Sequence, residues 1–467
     1  MHRIRSALFS TLLMVAVVGV GTPDAAAAYP QHRVTHFGTD GNLNRQAAFP
    51  DVAFNPKTGR YLVVYMAGTT SPNDDHWVIY GQLVAAGGKP VGGRIRISSK
   101  TDRLLCSYEP PAVEYARNIN EFLVTWDEGT MIDCDDSIHV RRISGGGTPL
   151  GPSDRRISDK GYNDIETSMP AYNSQRKEWM VAWNAEAPGE LGGIQELWGQ
   201  RLNAGGKQVG ADDRRLTDHA TNDFDADDAM GLAYDPQDQR YLAVVRGLDT
   251  SVVGDEVFGH LMNGKGRQIG PPQFRISHVT DTNANGDALP PSVVYDGIRN
   301  RFLVAWTGDP MIGSMVDNEI DIFGRFVKPD RSLVGGADRR FSFVGNDGDT
   351  SLFPVRPDIR LNPFLDQFLF AWSGDDDHGG GVDQESEVWG QRVAGNGDLV
   401  GAQDFRISHS GPDGDTNFAA NRAALAFDPT NCRYLVVWSS GRVGQWGSDS
   451  QEWEIYDNLV STRCPGS

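Results

Sequence analysis

Basic residues are in short supply: 43 Lys and Arg stand against 62 Asp and Glu among 467 residues, a formal net charge of −19. A surface so acidic is repelled by phosphate backbones and by anionic membranes, which excludes nucleic acid as a partner. Long apolar runs are scarce as well. The exception is the N-terminus, where Arg3 and Arg5 precede a mostly apolar stretch from Ala7 to Val20 and the small residues Ala25–Ala28. That pattern predicts a secretory signal over residues 1–28 and an exported, extracellular domain over 29–467 with no membrane span. Sustained helical periodicity is missing, and so are HExxH, GxSxG, Walker and Rossmann patterns in a fitting context. Cysteine is limited to Cys106, Cys134, Cys432 and Cys464.

What the chain has in abundance is repetition. RYLVVY (Arg60–Tyr65), EFLVTW (Glu121–Trp126), EWMVAW (Glu178–Trp183), RYLAVV (Arg240–Val245), RFLVAW (Arg301–Trp306), QFLFAW (Gln367–Trp372) and RYLVVW (Arg433–Trp438) are seven copies spaced 57 to 66 residues apart. Each follows a short apolar run such as PDVAFNP (Pro50–Pro56) and precedes one such as EVWGQRV (Glu387–Val393). A fourth run closes the set, as in RIRIS (Arg94–Ser98) or FRIS (Phe405–Ser408). All are β-branched or aromatic and bounded by Gly, Pro, Asp or Asn, and they read as strands A, B, C and D. Four antiparallel strands repeated seven times predict an all-β, seven-bladed β-propeller. The last repeat ends without a strand D, whereas the mature N-terminus opens with one, RVTHF (Arg33–Phe37). The N-terminal strand is therefore expected to complete the last blade and close the ring, removing the open edges of a linear array. The recurring strand-B tryptophans are assigned to packing between blades.

In this strand order the B–C and D–A loops share one face, the top. The D–A loops carry an acidic-glycine pattern, and Asp281, Asn283, Asn285 and Asp287 alternate around Gly286 as hard-cation ligands do. Asp347, Asp349, Asp413 and Asp415 form weaker versions. These loops resemble the calcium loops of integrin-α FG-GAP repeats and of dockerins, and the resemblance implies calcium as a stabilising cofactor. The integrin order of elements is absent, and its function is not carried over. Asx turns in solvated loops are the competing reading. As a whole the chain resembles secreted bacterial propellers with YLVVW-type repeats, a resemblance that implies the fold and no chemistry.

The B–C loops are long and unlike one another, which is where binding resides on a rigid scaffold. His76, Trp77, Arg246, His378, Trp446 and Trp453 are the off-pattern ligand-binding candidates, the aromatics as exposed stacking surfaces. Glu114 and Arg360 replace the Ala or Val of strand A and are expected to face the channel, too far around the ring for direct pairing. His36, His278 and His409 share one repeat position and are assigned a structural role. Two functions follow: a monomeric binding protein whose top face takes a glycan or an extracellular protein, or a polysaccharide-active lyase or glycoside hydrolase using the same face.

Cys106 and Cys134 fall in loops of one face at blade two, and Cys432 and Cys464 on the opposite face at blade seven. Export and this topology predict the pairs Cys106–Cys134 and Cys432–Cys464. Peptide mapping without reduction checks this: a link between Cys106 and Cys432 would contradict the strand order.

Overall fold

The computed structural model describes residues 31–38, 45–69, 76–99, 110–128, 137–158, 162, 165, 167–186, 195–217, 231–247, 254–375, 385–412, 415–442 and 452–462, apart from the side chains of 69, 76, 402 and 403. The expected signal segment, Cys106, Cys134 and Cys464 lie outside these residues. Among those described, every regular element is a strand.

The strands form seven four-stranded antiparallel sheets. The inner strands are Arg45–Asn55, Ala112–Ala116, Ser168–Asn173, Gly231–Asp235, Ser292–Asp296, Pro354–Asn362 and Phe418–Asp428, in blades one to seven. Each touches the inner strand of the next blade, and Phe418–Asp428 touches Arg45–Asn55, so the ring is closed around a channel. Blade seven is composite, its outer strand being the N-terminal His32–Arg33 paired with Glu452–Ser461. Regular pairing is shorter than the expected Arg33–Phe37, but the amides of Val34 and Thr35 both donate to the Ile455 carbonyl, at 2.7 and 3.3 Å.

The outer strands begin earlier than their sequence suggests. PVGG, which precedes the run read as strand D at Arg94, is already strand: the outer strand of blade one is Pro90–Arg96, and that of blade three is Gln208–Arg215. The true turn ends at Lys89, and a bulge follows, marked by the register shift between Gly81 and Leu83. Gly92 (φ 72°) and Gly210 (φ 93°) supply the left-handed backbone that the bulge requires.

Two repeating contacts bind blade to blade. The last residue of each strand-B repeat buries itself in the preceding blade: Trp126 packs with Ile79 and Ile97, Trp183 with Ile138 and Ile157, Trp306 with Val257 and Ile276, Trp438 with Val388 and Ile407. Tyr65 does the same against Val34 and Ile455 of blade seven. The second contact runs along the outer rim. The amides of Ser99, His278 and Phe343 donate to Asp154, Asp338 and Asp404 of the following blade.

Within blades three to seven, a buried acid opens strand C. Glu196, Glu256, Asp321, Glu387 and Glu454 each pair with the arginine of strand D and accept a hydrogen bond from the Ser or Thr two residues beyond it. That hydroxyl accepts a strand-C amide in turn, as Thr35 Oγ1 does from Ile455 N at 2.8 Å. A buried carboxylate so fully paired holds the strand C–strand D edge in register, and removing its partners leaves a bare charge costing about 3–5 kcal/mol.

Deleting residues 29–37 takes away Arg33 and Thr35 and strands Glu454 in blade seven. The truncated protein is expected to melt more than about 5 °C below the intact one. Calorimetry showing equal melting would overturn the closed ring.

Candidate functional site in the central channel

Two of the rim aromatics expected to be exposed, Trp77 and Trp453, are buried. Trp77 is 7% and Trp453 8% exposed, because both already belong to strand C: Trp77 joins the core between blades one and two, and Trp453 packs on Ala48 and Ala419. Neither offers a stacking face to a ligand. Arg246 is half-buried, with its guanidinium held by Asp255. His378, Trp446 and Asp413 lie outside the described residues, as does the side chain of His76. Cys432 is buried and disulfide-bonded, and Thr462 of the C-terminal tail donates to its carbonyl at 2.9 Å through the amide.

The described D–A loop acids are engaged in local hydrogen bonds and ion pairs. Asp281 is exposed and pairs with Arg275 at 3.0 Å, while Asp287 accepts the Asp255 amide at 3.1 Å. Asn283 is buried, donating to Asp317 at 2.9 Å and to the Asp309 carbonyl, and its own oxygen accepts the Asn285 amide at 3.1 Å. Asp347 is held by Ser314 and Arg340, and Asp349 and Asp415 cap their own turns through Ser351 and Asn417. Asn283, Asp349 and Asp415, each bonding the backbone two residues on, form Asx turns. At the D–A histidine position the amides of His278 and His409 donate to Asp338 and Gln31, and the His278 ring nitrogen Nδ1 lies 2.8 Å from the Arg325 guanidinium.

The channel wall is where the repeat changes character. In register with the fifth residue of strand B stand Asp51, Ala112, Met169, Gly231, Ser292, Asp358 and Ala424. In register with the third stand Ala53, Glu114, Ala171, Ala233, Val294, Arg360 and Ala426. Small or apolar residues dominate both rings, and the charges collect on blades six, one and two. Asp51 accepts the Val113 amide of blade two at 2.7 Å, and Asp358 accepts the Leu425 amide of blade seven at 2.9 Å. Each therefore staples a seam. Arg360 donates to Asp358 and to the Ile359 carbonyl at 2.8 Å.

The Arg360 charge acts on Asp358, Asp51 and Glu114 across the channel, and Asp51 acts on Glu114, while the direct contact of Arg360 is with Asp358. All four are partly accessible along the channel yet enclosed by protein. Burial pushes the Asp51 carboxyl up to about 6, against the pull of Arg360, and raises Glu114 to about 7, with Asp51 adding repulsion. Burial also works against the Arg360 charge, but Asp358, Asp51 and Glu114 more than offset it. The arrangement is a polar floor holding one cation and carboxyls able to exchange a proton near neutral pH.

Above it the inner strands of blades one, six and seven bulge, at the register shifts preceding Asp51, Asp358 and Ala424. Phe49 (φ 58°), Arg356 (φ 47°) and Arg422 (φ 59°) take left-handed backbone there, which costs about 1–3 kcal/mol per residue and persists only where the surroundings enforce it. Arg422 lies 5.2 Å over the Phe49 ring. Phe353, next to the start of the blade-six inner strand, is 43% exposed. Asp51, Asp358 and the bulge residues were missed from sequence. Aligning the inner strands on their strand-B partners, rather than on their own apolar spacing, reveals them.

No protein-family profile and no curated protein matches the chain. Among solved structures it is similar to the GH93 α-L-arabinofuranosidase of Fusarium graminearum, with 10% identity and a TM-score of 0.45 over 93% of this chain and 98% of that one. It is also similar to the GH43 endo-arabinanase of Bacillus licheniformis (10%, TM-score 0.34, 65% and 99%) and to prolyl oligopeptidase B of Galerina marginata (10%, TM-score 0.42, 87% and 47%). Likenesses at this level carry no chemistry to this chain.

The raised carboxyls have a measurable signature. The folded protein holds protons on Glu114 and Asp51 that the unfolded chain releases, so their contribution to stability falls as pH rises from about 4 to about 7 and stays low above it. Glu114→Gln, neutral at every pH, is expected to melt about 1–3 °C above the parent at pH 8 and level with it at pH 4.5. A variant that melts lower at pH 8 would refute the assignment.

Proposed function

We propose that this protein binds a carbohydrate at the top mouth of its channel. Exposed Phe353 supplies an apolar face for a sugar ring, and Arg360, Asp358, Asp51 and Glu114 supply donors and acceptors for its hydroxyl or carboxyl groups. The observation that carries the proposal is the placement of these charges: the fold fills the same ring positions with Ala, Val, Gly, Ser or Met elsewhere, and burying charge in a channel lowers stability. Charged groups that gather at one concave place, where the other blades carry small or apolar residues, are the mark of a binding or reactive site. An extracellular setting, as expected from residues 1–28, supplies such ligands.

A second reading rests on one specific observation, the carboxyl of Glu114 at about 7 beside that of Asp51 at about 6. Two carboxyls near one another with elevated proton affinity suit general acid–base cleavage of a glycosidic bond. One experiment separates the two. The parent, Glu114→Gln and Arg360→Ala are passed over a panel of neutral and acidic polysaccharides, scored both for retention and for released reducing ends. Binding predicts retention of the parent on at least one polysaccharide, weakened at least about tenfold in Arg360→Ala, with no release. Catalysis predicts release by the parent and none by Glu114→Gln, which still binds. Retention unchanged in both variants would remove the channel mouth as the site.

A further inference from the structure

Blade two departs from its six sisters at three positions that the fold brings together. The eighth residue of strand B is Ala67, Ala185, Gly247, Gly308, Gly374 or Ser440 elsewhere, but Glu128 in blade two. Its cross-strand partner is the buried acid of blades three to seven, but Ser137 here. Two residues on, strand C places Tyr80, Trp198, Phe258, Phe323, Trp389 or Tyr456, but His139 in blade two. The acid has crossed to the neighbouring strand, and an imidazole has replaced an aromatic ring.

The result is a compact donor set. His139 Nδ1 lies 3.6 Å from Glu128 Oε2 and 3.9 Å from Asp154 Oδ2, with the side chains of His139, Glu128 and Asp154 only 7, 5 and 5% exposed. All three donor atoms lie within 4.8 Å of one another. These separations are too long for hydrogen bonds. They approach the spacing of ligands around a tetrahedral ion, roughly 3.3–3.6 Å for bonds of about 2.0–2.2 Å.

The proton inventory points the same way. Ser137 Oγ donates its one proton to the Glu128 carbonyl at 3.1 Å and lies 3.2 Å from His139 Nε2. With Nε2 beside this hydroxyl, the other ring nitrogen, Nδ1, faces the two carboxylates, as in an imidazole oriented for a metal by a hydrogen-bonding group behind it. Asp154 is oriented by the Ser99 amide at 3.2 Å and by the Ser99 hydroxyl. Its counterpart in blade five, Asp338, is neutralised by Arg325 at 2.8 Å, whereas Arg141, which holds that place in blade two, donates to the Gly151 carbonyl. Arg156 donates to the Ser158 carbonyl at 2.6 Å, a bond that its equivalents in blades three to seven also make.

We infer that Glu128, His139 and Asp154 form a binding site for a divalent metal ion of the zinc class. A nitrogen donor beside two carboxylates suits zinc or a neighbouring transition ion better than calcium, which takes oxygen alone. This site is separate from the channel and from the D–A loop acids, and it stands whether or not the channel binds carbohydrate.

The test uses the full chain, stripped with a chelator, dialysed and titrated with zinc chloride at pH 7.5. The parent is expected to take up about one zinc per chain. The variants are chosen from the sister blades so that folding is retained: Glu128→Ala and His139→Phe. Each is expected to lose at least about tenfold in zinc affinity, and the zinc-dependent rise in melting temperature of the parent is expected to vanish in both. Saturating calcium is expected not to displace the zinc. Absence of stoichiometric zinc in the parent, or uptake by both folded variants equal to that of the parent, would overturn the site.

Discussion

Everything in this molecule depends on a closure made by very few residues. The N-terminal strand contributes two regularly paired residues, His32 and Arg33, and its attachment is carried mostly by side chains that converge on Glu454. The same carboxylate–arginine–hydroxyl set recurs inside blades three to six, where both strands arrive already joined by a short hairpin. Blade seven has no such hairpin between its last two strands. There the side-chain set must supply the registration that chain connectivity supplies elsewhere. With the ring shut, each Trp or Tyr at the end of strand B finds the preceding blade, and the channel acquires a complete wall.

The repeat made much of this legible. Strand order, blade number and the split final blade all follow from spacing and alternation, because a motif seen seven times averages out the ambiguity of any single copy. Two kinds of residue escaped. Gly92 lies ahead of the run read as strand D, whereas it serves, like Gly210 in blade three, a bulge within a strand. Trp77 and Trp453 read as loop aromatics because they flank polar segments. The strands in fact begin just before them, at His76 and Glu452, and their rings turn into the core. A strand boundary inside a variable loop leaves no periodic trace.

The candidate sites were legible only in part, and for a related reason. Glu114 and Arg360 stand out because charge replaces Ala or Val at a repeat position. Asp51 and Asp358 do not, because the bulges at Phe49 and Arg356 break the alternation on which the reading depends. The seven blades nevertheless act as one another's controls. A residue present in most copies is explained by folding, as the strand-B tryptophans are. One present in a single copy against the local packing preference, such as Glu128 or His139, needs another explanation.

The bulged outer strands carry a further consequence. A propeller hides its inner edges but presents seven outermost strands to solvent, each a row of amides and carbonyls able to template pairing with another molecule. Here those strands bend at a left-handed glycine in blades one, two, three, five and six, at Gly92, Gly151, Gly210, Gly335 and Gly401. They also carry Pro90, Pro149 and a high density of arginine and aspartate. In blades four and seven the edge is only two regular residues long. A kinked, charged or very short edge does not dock flat against its like, so the same backbone that shapes each blade keeps neighbouring molecules from adding an eighth.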